Sequence, residues 1–111
     1  MIGPVARPLI LEYLAGELRW GLAHGPESYA VLNACRALVY LRGGAIVAKV
    51  TGGRAALARG TAPAAVVRRA LRQQRGLDPE TTPGPDAVRF VLAVSAALVS
   101  AAAAAAAAPT P

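Results

Sequence analysis

The chain has 111 residues, of which 55% are hydrophobic and 16% charged, with a formal charge of +6. That length suits one domain around a single core, and the composition argues against disorder, although an alanine-heavy apolar fraction makes for a thin core. A lone cysteine and a lone histidine rule out an internal disulfide, a cysteine metal cluster and a multi-histidine metal site.

Taken in chain order, the apolar start is interrupted by Arg7, Glu12 and Glu17 and does not read as a signal peptide. The expected compartment is the cytoplasm. A first helix is expected from about Pro8 to Leu22, with Leu11, Leu14, Leu18 and Leu22 on its buried face. A second helix starts at Pro26-Glu27, where proline suits the first helical position and a carboxylate suits the dipole. Val31, Ala34, Cys35, Leu38 and Leu41 share its apolar face, and Gly43-Gly44 closes it. Cys35 on that face reads as a buried, inert thiol. His24 reads as a helix-end or solvent residue.

Lys49 is the sole lysine and falls in a short apolar loop, with Ala45 to Val50 extended at most. A short third helix is expected over Gly53–Arg59. A fourth, capped by Thr61, is expected to run to Arg75, with Val66, Val67, Ala70, Leu71 and Gln74 as its apolar stripe. Leu77 to Pro85 is loop chemistry. Asp86 then caps a last helix through Val99, which the alanine run of 101–108 can continue, since alanine is the best helix former. Phe90 to Ala108 carries no charge and is long enough to cross a bilayer, but alanine inserts weakly, so a membrane span is not expected. The fold class is therefore all-α, a small bundle of four to five helices over residues 1–100 with a low-complexity Ala/Pro tail at 101–111.

The string Tyr29-Ala-Val-Leu-Asn-Ala-Cys-Arg-Ala-Leu-Val-Tyr-Leu, followed by Gly43-Gly44-Ala-Ile-Val-Ala-Lys49 and Gly52-Gly53-Arg54-Ala-Ala-Leu57, resembles the C-terminal helical domain of the aminoglycoside (streptomycin/spectinomycin) adenylyltransferases. The resemblance spans roughly Leu9 to Leu98. It implies that Lys49 contacts the phosphates of ATP, as a compact ammonium on a flexible stem can. It also implies that Glu27, near the start of the second helix, binds an ammonium group of the antibiotic. One aspartate position of the family is taken here by Pro26. Asn33 and Arg36 read as polar residues that support the fold between helices.

The family's catalytic machinery, a Gly-Ser turn and an Asp-x-Asp pair that hold magnesium, has no counterpart in these 111 residues. Asp78 and Glu80 have the spacing but flank Pro79 in a loop and read as turn residues. The resemblance therefore implies a substrate- and nucleotide-binding domain, inactive alone, whose partners are ATP, an aminoglycoside and a separate nucleotidyltransferase domain that holds Mg. Two other classes remain open. One is an inert helical interaction module or enzyme remnant. The other is a small basic nucleic-acid binder that uses Arg68, Arg69, Arg72 and Arg75, residues that read more simply as a solvated face; no helix-turn-helix pattern supports it.

Overall fold

Glu27–Gly43 is a helix buried on almost every side, and the other elements are arranged around it. The computed structural model describes residues 6–107. Among them are five α-helices and no strand: α1 Ala6–His24, α2 Glu27–Gly43, α3 Lys49–Arg59, α4 Ala64–Gln74 and α5 Pro85–Ala107. The all-α expectation therefore holds for the described residues.

The central position of α2 follows from its composition. Val31, Ala34 and Cys35 are buried as the spacing requires, while Leu38 and Leu41 are half-buried. Ala30, Leu32, Ala37, Val39 and Tyr40 are buried as well, so its apolar surface wraps the helix instead of forming one stripe. The helix ends where Gly44 adopts a left-handed conformation (φ 73°) and donates its N–H to the Tyr40 carbonyl at 2.7 Å.

Helix α1 runs antiparallel to α2. Near its start, Arg7 donates to the Leu41 carbonyl (3.1 Å) at the far end of α2 and sits over the Tyr40 ring. Its core residues are Leu11, Ala15 and Leu18, with Leu14 and Leu22 half-buried. Helix α5 returns antiparallel to α1: Gly84 meets Glu27 beside the start of α2, and further along Ser95 Oγ donates to the Ala15 carbonyl at 3.3 Å. Phe90, Val91, Val94 and Leu98 complete the core. The helix passes through most of the alanine run to Ala107, and Ala102 is itself buried. By length and composition α5 could cross a membrane; here its Ala87-to-Ala102 face packs against α1 and α2. Residues 108–111 of the expected tail lie outside the described residues.

Four local expectations are corrected. Helix α3 begins at Lys49, a turn before Gly53, so Lys49 is helical and not in a loop. Glycine is a poor helix former, yet Gly52 and Gly53 lie inside α3 because a Cβ at either would come within 2.9 Å of Arg36 or Leu32 on α2. Close approach of the two helices selects glycine there. Thr61 does not cap α4: the boundary residue is Pro63, with no side-chain cap. Gln73 and not Gln74 is the buried glutamine of α4, because its amide bonds a carboxylate. Asp86 lies inside the first turn of α5, which opens on Pro85, and pairs with Arg89.

Candidate functional site

Two cavities border α2, one along its length from Tyr29 to Tyr40 and one at Glu27, and they divide the residues singled out in the sequence. The first, about 270 Å³, lies between α1, α2 and the α2–α3 connection. Tyr13, Glu17, Tyr29, Asn33, Arg36 and Tyr40 supply its polar wall, with Ile10, Leu14 and Ile46 among its apolar residues. Helical spacing explains the assembly: Tyr13 and Glu17 are four apart on α1, and Tyr29, Asn33, Arg36 and Tyr40 follow three- and four-residue steps on α2.

Lys49 opens α3 beside this cavity, with Nζ 4.7 Å from the centroid of the Tyr29 ring. Tyr29 also meets Trp20 edge-to-face, and Trp20 stacks on His24, whose Nδ1 donates to the Trp20 carbonyl (3.0 Å). Arg36 holds the connection that leads to Lys49: its Nε donates to the Val47 carbonyl at 2.7 Å and another guanidinium N–H reaches Asn33 Oδ1 at 3.2 Å. The fold-supporting role expected of Arg36 and Asn33 is thus what their hydrogen bonds perform. On the α1 wall, the neighbouring Glu17 carboxylate pushes the Tyr13 phenol up, through a hydrogen bond and through charge.

The Lys49 end of α3 is itself electropositive. The boundary residue Ala48 offers no side-chain acceptor, and the first N–H to find a partner in this turn is that of Gly52, on the Ala48 carbonyl (2.9 Å). The N–H groups of Lys49, Val50 and Thr51 therefore point out of the helix start, where backbone donors and dipole together attract anions.

Glu27 belongs to the second cavity, about 490 Å³, formed with the α4–α5 loop: Arg69, Gln73, Asp78, Thr81 and Gly84 are among its walls. Glu27 is 2% exposed. Oε1 accepts from Arg69 Nε (2.6 Å) and Gln73 Nε2 (3.2 Å), and Oε2 accepts from the Gly84 N–H (2.8 Å). Its own N–H donates to the Thr81 carbonyl at 2.7 Å. Burial alone would push this carboxyl up, but the Gly84, Arg69 and Gln73 donors outweigh it and hold it below the usual carboxylate range. Beside it Ser28 donates to Glu80, and Arg72 pairs with Asp78 at 2.9 Å. Glu27 thus lines the second cavity, whereas Lys49 lies beside the first, against the Tyr29 ring.

Residues 11–101 match the family model described as aminoglycoside adenylyltransferase, C-terminal domain. The chain belongs to that family. No curated protein and no solved structure matches it. Lys49, Glu27 and the walls of both cavities, Ile10 apart, lie within the matched segment of this adenylyltransferase C-terminal domain. Sequence reasoning missed Tyr13, Glu17 and Tyr40 as cavity walls; their periodicity was the available signal, but which helix face stays open depends on packing. It missed Gln73 for the same reason. Of the arginines proposed as an anion-binding face, Arg69 and Arg72 are tied to Glu27 and Asp78. Cys35 is buried, and burial pushes its thiol up to about 12, so at neutral pH it holds its proton.

Proposed function

We propose that this chain is the substrate- and nucleotide-binding helical part of an aminoglycoside nucleotidyltransferase, and that adenylyl transfer needs a further nucleotidyltransferase domain. The observation that carries this reading is Lys49 on the first turn of α3, a helix start with outward-facing N–H groups whose ammonium lies over the Tyr29 ring at the edge of the cavity. Those groups fit the phosphates of ATP: the ammonium serves as a point charge and the N–H groups as directional donors. Glu27 is the antibiotic-side carboxylate in this reading, reached from the second cavity through the acceptor capacity that Oε2 keeps beyond the Gly84 bond. The expected compartment, a reducing cytoplasm, is one that supplies ATP.

Magnesium does not fit this chain's own residues. Among the described residues no group of three His, Cys, Asp or Glu side chains comes together, and Glu27, Asp78 and Asp86 are each paired with an arginine. In this reading the metal is held by carboxylates of the nucleotidyltransferase domain, and adenylyl transfer depends on that domain.

Calorimetric titration of the folded chain with ATP at low salt tests the reading. Saturable binding is expected, weakened about tenfold by Lys49→Ala, the size of one lost charge-assisted contact. Binding that Lys49→Ala leaves untouched refutes the role of Lys49. No binding of ATP, streptomycin or spectinomycin to a folded chain would favour an inert helical module.

A further inference from the structure

Glu17, on the α1 wall of the smaller cavity, stands out once the six carboxylates are compared. Glu27, Asp78 and Asp86 are each paired with an arginine, and Glu80 accepts from Ser28. Glu12 is exposed on α1 and forms no part of either cavity. Among these carboxylates Glu17 alone lines the cavity beside Lys49, where Tyr13, which hydrogen-bonds to it, Tyr29, Tyr40 and Arg36 share the wall; the Arg36 guanidinium is turned to the Val47 carbonyl and Asn33 Oδ1. A carboxylate among tyrosine rings is suited to an organic cation, since the ring faces attract positive charge and the carboxylate accepts its N–H groups. These rings already receive cations: Lys49 lies over Tyr29 and Arg7 over Tyr40. At about 270 Å³ the space takes one ring with its amine, not a whole oligosaccharide.

We propose that Glu17 is a specificity-determining residue that receives a protonated amine of the substrate in the Tyr13–Tyr29–Tyr40 cavity. This rests on the reading above, that the chain binds an aminoglycoside, and adds to the Glu27 contact a second amine contact, in the cavity beside Lys49. The cation then lies near the phosphate-binding turn of α3, on the same side of α2. Glu17 keeps the drug within reach of the nucleotide and adds to the contact given above to Glu27, whose bonds to Arg69 and Gly84 also hold the α4–α5 loop.

The test is calorimetric titration of spectinomycin and, separately, of streptomycin into the wild-type chain, Glu17→Gln, Glu17→Asp and the control Glu12→Gln. Circular dichroism melts establish that each variant is folded. At least one drug is expected to bind, with a loss of about tenfold or more in Glu17→Gln, a smaller loss in Glu17→Asp and none in Glu12→Gln. Equal affinity in wild type and Glu17→Gln would overturn the inference and leave the broader reading standing. Equal losses in Glu17→Gln and Glu12→Gln would overturn it too, because they report only net charge. Binding of ATP but of neither drug would overturn it and spare the nucleotide half of the reading; binding of no ligand at all would sink both.

Discussion

Glu27 shows how far a residue's role can lie from what its sequence position announces. In the sequence it is a first-turn carboxylate, favourable to a helix dipole and exposed by default. In the fold it is buried, and three donors from α4 and the α4–α5 loop converge on it. No local pattern encodes this, because Arg69, Gln73 and Gly84 come to it across a long stretch of chain. The arrangement has a pH consequence. The folded-state pKa lies below the unfolded value, so the stabilisation is present above about pH 4.5 and is lost as the pH falls through the folded pKa. Thermal melts should therefore show stability falling as the pH drops below that value. Glu27→Gln should lower the melting temperature at pH 7, since it leaves Arg69 short of its partner, and should flatten the acid side of the profile. A variant profile parallel to the wild type would show that the ionisation of Glu27 does not couple to folding.

At the scale of elements, the helices themselves were legible because apolar periodicity is local. For α1, α2, α4 and α5 the core includes residues that the spacing selected, although Leu14, Leu22, Leu38, Leu41 and Leu71 are only half-buried and Gln74 is exposed. The start of α3 was not, because propensity and packing disagree there. Helix propensity places a boundary at Gly52-Gly53; contact with α2 favours glycine at both positions inside the helix, most firmly at Gly52, where the Arg36 backbone is nearest. The balance can be measured with a series of Gly→Ala substitutions. At Gly16 in α1 a Cβ meets nothing within 4 Å, so Gly16→Ala should stabilise by about 0.4–1 kcal/mol. At Gly52 the Cβ would lie 2.9 Å from the Arg36 backbone nitrogen, which cannot move aside, so Gly52→Ala should destabilise by about 1–3 kcal/mol. Gly53→Ala should fall between, since its nearest atoms are the ends of the Leu32 and Leu71 side chains. Urea unfolding at constant m-value decides the order. If Gly52→Ala proved stabilising, the close α2–α3 contact that sets the direction of Lys49 would not exist in solution.

For the whole molecule, the governing feature is that α2 touches each of the other four helices. Buried alanines at 15, 30, 34, 37, 56, 70, 87 and 102 let those helices approach, but they contribute little apolar area, so few large side chains carry the core. The sequence showed this thinness in its composition; which side chains carry the core it could not show, since that depends on how α1 and α5 close over α2. Leu32 is fully buried at the centre and also faces Gly53. Leu32→Ala should cost about 2–5 kcal/mol, a large share of the ~5–15 kcal/mol typical of a domain. Because every helix depends on α2, the loss should not stay local. Trp20 fluorescence, which reports on α1, and far-UV circular dichroism, which reports on all helices, should move to lower denaturant together in this variant. Separate midpoints would mean that α1 and α5 form a unit that survives without α2, and that the cavity between α1 and α2 can open while the rest of the bundle stays folded.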